Sequence, residues 1–242
     1  MAFPSMSIPL ARATEAQRTA YLRRTLGLTV LGLGIASVTG IVTSIGLAFM
    51  PGMLSGYLPM IIILGMWAVS NFVAQPMVFR GPAGAPAKAV GFALGTASQG
   101  VAMGFLLLVA AYASAAALGN PFTLIALAMG LTGFTGLGMA AYVWTDRKDF
   151  SLIGAGLSAM TIPMLILMAV SFAFPSFIGG TLGIVMSAVF VVISAAGLVY
   201  QLNKVIHEYD TDMHIEGAYT ISMGLLVLFW NILSLLMRLT RR

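Results

Sequence analysis

The sequence predicts an all-α polytopic membrane protein with seven membrane-spanning helices. Three observations point to this fold class. Of the 242 residues, 60% are hydrophobic and 8% are charged, whereas a soluble domain carries roughly 25% charged residues. Seven stretches reach the roughly 20 apolar residues that are needed to cross a bilayer core. All the acidic residues lie before or between these stretches, at Glu15, Asp146, Asp149, Glu208, Asp210, Asp212 and Glu216.

The predicted spans follow one another with short connections. In order, they cover Thr25–Met50, Tyr57–Phe79, Ala89–Leu118, Pro121–Trp144, Ser151–Phe174, Ile178–Tyr200 and Gly217–Met237. Connections without charge alternate with charged ones, and the charged ones are residues 80–88, 146–149 and 201–216. This alternation is typical of a chain that crosses a membrane repeatedly, because cytoplasmic loops collect Lys and Arg.

The basic residues also predict an orientation. If the N-terminus is cytoplasmic, three basic residues near the C-terminus (Arg238, Arg241 and Arg242) lie outside. Nine lie on the cytoplasmic side: Arg12, Arg18, Arg23, Arg24, Arg80, Lys88, Arg147, Lys148 and Lys204. We therefore expect a cytoplasmic N-terminal arm (residues 1–24), a membrane domain (residues 25–238) and a short basic tail (residues 239–242) outside. A re-entrant last segment is the alternative. The expected location is a bacterial inner membrane, with an organellar membrane as the alternative.

Glycine and proline residues inside the spans predict how the helices pack and where they bend. In lipid, helices associate through close backbone approach, so we interpret the recurring glycines of the first, third and fourth spans as packing positions. Pro76 and Pro163 lie inside the second and fifth spans, where each is expected to kink the helix and free carbonyls for neighbouring helices to satisfy.

Four amide side chains lie at membrane depth: Asn71, Gln75, Gln99 and Asn231. Such amides usually pair across helices. The alternative is a polar path for a small ion, since amides solvate a cation but do not exchange protons near neutral pH.

The residue types favour neither an enzyme nor a cofactor protein. The chain has no cysteine, and its two histidines, His207 and His214, lack nearby partners for a metal site. No HExxH or GxSxG motif occurs. We therefore expect no metal, no cofactor and no enzymatic activity. The dispersed basic residues favour lipid headgroups over nucleic acid as their partner.

The connection between the fourth and fifth spans reads TDRKDFSLIGAGL (residues 145–157). By its composition it is a tight cytoplasmic turn with local ion pairs. It resembles the TxRDFSxxGxxL turn of the Bax inhibitor-1 family, also called the transmembrane Bax-inhibitor-motif or YccA-like family. Four more stretches resemble that family in the same order, and they are residues 17–37, 119–138, 200–218 and 228–238.

This resemblance implies a bundle in which six helices surround a central last helix. It also implies one of three roles: a pH-sensitive calcium leak, protection from cell death, or, in bacteria, binding of a membrane-anchored AAA protease. The family's pH sensor is a pair of aspartates in the last two helices, which raise one another's pKa and share a proton.

The chain departs from the family at this sensor. Alignment on Tyr200 places Gln201 at the first aspartate, and alignment on Asn231 and Arg238 places Leu228 at the second. A rival alignment uses Asp210 but puts it well beyond the end of the helix. Arg238 matches a family arginine, although a helix-end charge that snorkels to the interface explains it equally.

We therefore expect an accessory membrane protein that lacks the diaspartyl sensor and binds a membrane protease or a larger membrane complex. The expected docking loop contains Lys204, His207, Glu208, Asp210 and Asp212. The alternative is a cation leak channel, for calcium or protons, whose pH gating is altered or lost.

Overall fold

The computed structural model describes residues 9–82, 85–145, 154 and 180–240. These residues contain six helices that are long and apolar enough to cross a membrane, as expected for a polytopic membrane protein. They are α1 (Glu15–Phe49), α2 (Leu58–Arg80), α3 (Pro86–Leu118), α4 (Thr123–Thr145), α5 (Gly180–His207) and α6 (His214–Thr240).

The predicted fifth span lies outside the described residues, apart from Gly154, which is helical. Pro163 and most of the family-like turn at residues 145–157 also lie outside them. The other six predicted spans are all found as helices, so the all-α membrane architecture is confirmed.

Helix α1 begins ten residues before the predicted first span. A capping box explains this start: the Gln17 backbone N–H donates to the Thr14 hydroxyl (3.4 Å), and the Thr14 N–H donates to the Gln17 side-chain oxygen (3.0 Å). Such a box satisfies backbone donors that a helix otherwise leaves open. With 35 residues, α1 is about 52 Å long. It therefore extends beyond a hydrocarbon core of about 30 Å, and part of the predicted N-terminal arm belongs to it.

Helix α5 continues seven residues past the predicted end at Tyr200. Hydropathy falls after Tyr200, but one face of the helix stays apolar and buried through Leu198, Leu202, Val205 and Ile206. This helical periodicity keeps the segment packed after the apolar run has ended. As a result, the connection to α6 contains only residues 208–213.

Helix α2 is irregular just before Pro76, where a kink is expected. The six residues Val69–Ala74 just before it form a π-helical turn, in which the Gln75 N–H donates to the Ser70 carbonyl. The Tyr219 hydroxyl of α6 donates to the same carbonyl at 3.1 Å. A neighbouring helix thus bonds a carbonyl of the irregular turn, which is how such turns persist at membrane depth.

By its internal contacts the chain forms two compact units. The first contains Met1–Val109 and Lys204–Leu226, and the second contains Ala110–Asn203 and Val227–Arg242.

In the first unit, glycines bring α1 and α3 together. A Cβ built on Gly104 would lie 2.9 Å from the Gly40 carbonyl oxygen, and one on Gly100 would lie 2.9 Å from Ala36 Cα. The prediction that glycines serve as packing positions is confirmed here. Other glycines have open space around them within the described chain, including Gly27, Gly34, Gly130, Gly133 and Gly138.

Two apolar clusters complete the first unit. One joins Val78, Phe92, Ala218 and Tyr219 from α2, α3 and α6, and the Tyr219 ring packs edge-on against Phe79. The other joins Leu47, Phe105 and Leu108. Outward-facing side chains are also apolar, and Val30 is 70% exposed. Exposed apolar faces on long helices are typical of contact with lipid.

In the second unit, a tight turn links α3 to α4. Gly119 adopts φ +71° just after α3 and donates its N–H to the Ala115 carbonyl (3.1 Å). A left-handed glycine is the common way to end a helix. The Ser114 hydroxyl then bonds the Asn120 carbonyl and accepts from the Leu124 N–H (3.3 Å), which fixes the start of α4.

Candidate functional site

A buried polar cluster lies in the first unit where α1, α3 and α6 begin. Its members are Tyr21, Thr25, Lys88 and Glu216, and all four are buried. We call these four residues the polar cluster. Each of the three helices starts on the side predicted to be cytoplasmic, so the cluster lies at that end of the first unit. Clusters of buried polar groups in a membrane protein are candidates for function.

The centre of the polar cluster is an ion pair between Lys88 and Glu216. Lys88 is the third residue of α3 and Glu216 is the third residue of α6. The N-terminal end of a helix favours a carboxylate and disfavours an ammonium group. Glu216 is therefore stabilised by its own helix, whereas Lys88 depends on Glu216 for compensation. The Lys88 stem packs on Gly81, where an added Cβ would lie 3.3 Å from Lys88 Cγ.

Three oxygen atoms of the polar cluster are buried but make no hydrogen bond of ordinary geometry to the described chain. They are Glu216 Oε2, Tyr21 OH and Thr25 Oγ1. The Tyr21 hydroxyl is directed toward Thr25, one turn later in α1, and lies within electrostatic reach of Glu216. It also lies against Gly217, where an added Cβ would come within 2.5 Å of it. A larger residue at position 217 would therefore require the Tyr21 side chain to shift.

A short N-terminal segment, Pro9–Arg12, covers the loop beside the polar cluster. We call it the N-terminal strap. The Leu10 N–H donates to the Tyr209 carbonyl at 3.0 Å, and Pro9 pairs with Asp210 as an antiparallel bridge. Leu10 is 1% exposed, so the strap is anchored by an apolar side chain as well as by its backbone.

A chain of contacts connects the strap to the start of α6. Tyr209, which accepts from the strap, is itself buried. Its hydroxyl lies 3.2 Å from the Thr220 hydroxyl, which donates to the Glu216 carbonyl at 2.8 Å. The strap, the loop and the first turn of α6 are therefore joined by direct contacts.

The expected docking loop is less accessible than the sequence indicates. Lys204 and His207 belong to the last turn of α5, and only Glu208 is fully exposed, while Asp210 and Asp212 are half-buried. Further buried polar atoms without a described hydrogen-bond partner lie here, at His207 Nε2, Asp212 Oδ1 and His214 Nδ1. The accessible part of the loop is therefore centred on Glu208.

The two sensor-equivalent residues lie in the second unit. Gln201 lies within α5, six residues before its end, and is half-buried. Leu228 is completely buried in α6. Asp210, which the rival alignment uses, lies three residues past the end of α5 and against the N-terminal strap.

The four amides differ in burial and in bonding. Asn71 donates to the Trp67 carbonyl of its own helix at 2.8 Å, and Gln75 is exposed. Gln99 and Asn231 are half-buried, and Arg238 is exposed near the end of α6. The buried polar side chains of the first unit include six hydroxyl groups, at Thr25, Thr29, Ser70, Thr96, Ser98 and Ser222.

Sequence reasoning missed the ion pair, because it assigned Lys88 and Glu216 to two connecting loops. One signal could have placed Lys88 in a helix, although not against Glu216: Lys88 follows Pro86 by two residues, and proline favours the first position of a helix. A lysine in the first turn of a helix is disfavoured by the helix dipole, and a nearby acid offsets this. Among the described residues, no group of three or more His, Cys, Asp or Glu side chains is arranged to hold a metal ion.

Comparisons with known proteins agree with the motifs. Residues 18–241 match the family model described as inhibitor of apoptosis-promoting Bax1. The protein named modulator of FtsH protease YccA, from Escherichia coli K12, is 31% identical over 112 residues, which are 46% of this chain and 49% of that protein.

Two other relatives have similar sequence identity and coverage. The inner membrane protein YccA of Escherichia coli O6:H1 is 31% identical over 46% of this chain and 49% of its own length. A membrane protein of Vibrio cholerae serotype O1 is 29% identical over 50% of this chain and 52% of its own length. The chain spans about half the length of the curated relatives it matches.

Proposed function

Because the chain belongs to the Bax inhibitor-1 family, whose model matches residues 18–241, we propose that it is a non-enzymatic accessory protein of a bacterial inner membrane. In this role it binds a membrane protease or a larger membrane complex. The observation that carries the proposal is the similarity to a protein named as a modulator of FtsH protease. A membrane-anchored AAA protease is therefore the first partner to test.

The proposed topology has seven spans, with the predicted fifth span completing the six described helices and the last helix central. The N-terminus is cytoplasmic and the C-terminus lies outside. The proposal also includes loss of the diaspartyl sensor, because a glutamine at position 201 and a leucine at position 228 do not titrate.

The proposed docking surface is the cytoplasmic end of the first unit. Its exposed charges include the acids Glu15 and Glu208 and the arginines Arg12, Arg23, Arg24 and Arg80. A partner with both acidic and basic patches complements these charges, and such complementarity mainly sets specificity and the rate of encounter.

In-membrane photocrosslinking tests the proposal. A photoreactive residue at position 208 is expected to crosslink a membrane-anchored AAA protease, and crosslinking is expected to fall when that protease is depleted. The matched control is the same residue at Val38, which is 62% exposed on the apolar face of α1. Equal crosslinking from both positions, or isolation of the protein alone after crosslinking in mild detergent, would contradict the proposal.

A cation leak is the second candidate, and the buried hydroxyls of the first unit are the observation that favours it. Several of them are already engaged within their own helix: Thr29 donates to the Thr25 carbonyl (2.9 Å), and Thr96 donates to the Phe92 carbonyl (2.9 Å). Packing therefore explains them without an ion path.

Reconstitution into dye-loaded liposomes separates the two candidates. The accessory role predicts a flux no greater than that of empty vesicles between pH 5 and pH 8. A pH-independent flux would support the leak instead. A flux with a sharp pH midpoint would show that a titrating switch remains.

A further inference from the structure

The orphaned oxygens of the polar cluster require a partner that the described chain does not supply. Buried polar atoms in proteins are nearly always hydrogen-bonded, either to the chain or to ordered water. Here Glu216 Oε2 is buried without such a bond to any described residue, and the hydroxyls of Tyr21 and Thr25, which face one another, make no bond of ordinary geometry. Lys88 engages only the other oxygen of the Glu216 carboxylate.

The three oxygens have the chemistry of a water site. A carboxylate oxygen accepts hydrogen bonds, and each hydroxyl both donates and accepts. A buried water typically makes about three hydrogen bonds to otherwise unsatisfied groups. The Tyr21 hydroxyl is directed toward Thr25, lies within electrostatic reach of Glu216 and lies against Gly217, the residue that follows Glu216.

A bound cation fits this site less well than water. The Lys88 ammonium group already compensates the Glu216 carboxylate, so a second positive charge would be repelled at short range.

The N-terminal strap contacts the loop that leads into α6, next to this site. The strap is held by Leu10, whose N–H bonds the Tyr209 carbonyl at 3.0 Å. Tyr209 is buried and contacts Thr220, which bonds the first turn of α6. Removing the strap would therefore uncover Tyr209, which lies within electrostatic reach of Tyr21 in the polar cluster.

We propose that Glu216, Tyr21 and Thr25 bind ordered water in an internal site, and that the N-terminal strap closes this site to the cytoplasmic solvent. The strap controls exchange between the internal water and the bulk. This role does not depend on which membrane protein the chain binds.

The absence of cysteine from the sequence allows a direct test with introduced thiols. A small water-soluble methanethiosulfonate reagent reacts with the thiolate, so reaction requires water at the site. Thr25→Cys replaces one of the proposed water ligands. The matched control is Ser222→Cys, because Ser222 is equally buried but its hydroxyl lies 3.5 Å from the Thr29 carbonyl and is not orphaned.

We expect Thr25→Cys to react slowly and Ser222→Cys not to react. Adding Leu10→Asp, which removes the apolar anchor of the strap, is expected to raise the Thr25→Cys rate at least about tenfold, because the rate follows the population of the open state. Thr19→Ser, at an exposed position of α1 outside the strap, is expected to leave the rate unchanged.

Two results would overturn the proposal. An unreactive Thr25→Cys in both forms of the strap would show that the site is dry. A fast reaction with the strap intact would show that the strap does not close it.

If Leu10→Asp also raises the reaction rate of Ser222→Cys, the variant has loosened the whole unit. Hydrogen exchange on the unaltered chain then tests whether the strap opens by itself. The proposal predicts that the Leu10 amide exchanges faster than the amides in the middle of α1. Equal protection would refute it.

Discussion

Removing one partner of the buried ion pair is expected to destabilise the protein more than removing both. The test is a double-mutant cycle of Lys88→Met, Glu216→Met and the double variant. Methionine keeps the length and much of the volume of both side chains, so the loss of charge dominates. Breaking a buried pair by removing one partner costs about 3–5 kcal/mol, whereas replacing both partners with apolar groups is often nearly neutral.

The structure also ranks the two single variants. Lys88→Met leaves the Glu216 carboxylate uncompensated, and this short side chain is almost completely buried. Glu216→Met leaves a long lysine near the start of α3, where its ammonium group can move toward water. We therefore expect Lys88→Met to lie at the upper end of the range and Glu216→Met at the lower end.

Thermal unfolding in a mild detergent, followed by tryptophan fluorescence, measures the effect. For a chain of this size, 1 kcal/mol shifts the Tm by roughly 2–4 °C. The single variants are therefore expected to lose about 6–20 °C. The double variant is expected to lie within about 1–2 kcal/mol of the unaltered protein.

The control is Glu208→Gln, at an exposed position, which is expected to change stability by no more than about 0.5 kcal/mol. The reasoning would be refuted if the single variants behaved like this control. It would also be refuted if the double variant lost as much stability as the two single variants added together, because the two charges would then not be coupled.

Three further variants test other contacts by the same unfolding assay. Gly100→Ala is expected to cost about 1–3 kcal/mol of stability, because its Cβ would meet the α1 backbone. The control Gly34→Ala, with open space around it, is expected to be neutral or stabilising by up to about 1 kcal/mol. Equal effects of the two variants would contradict this packing. Tyr219→Phe removes the hydrogen bond to Ser70 and is expected to cost about 1 kcal/mol, and no change would indicate that this bond contributes nothing. Thr14→Ala removes the capping box at a cost of about 1 kcal/mol and is expected to speed hydrogen exchange in the first turn of α1 only.

The membrane architecture was readable from the sequence because hydropathy is a local property. The helix ends were harder to predict, for different reasons at each end. At the start of α1, hydropathy is low but Thr14 and Gln17 form a local cap. At the end of α5, the apolar run stops at Tyr200 while the helical spacing of Val205 and Ile206 continues. In both places, the capping pattern and the periodicity are better guides than mean hydropathy.

The contacts of the candidate site could not be predicted from such local properties. Nothing local indicates that Lys88 meets Glu216, because that contact depends on how α3 and α6 pack. The same holds for Leu10, whose partner Tyr209 lies at the other end of the chain. A single sequence gives the residue types at these positions but not which of them come together.

The order of the ion pair along the chain has a consequence for biosynthesis. Lys88 precedes Glu216 by 128 residues, which a ribosome adds in roughly 6–26 s at about 5–20 residues per second. Throughout this interval α3 carries a lysine whose acid has not yet been made. Its ammonium group must wait in the headgroup layer, where a long side chain can reach water. The first unit therefore closes only when the last helix is inserted.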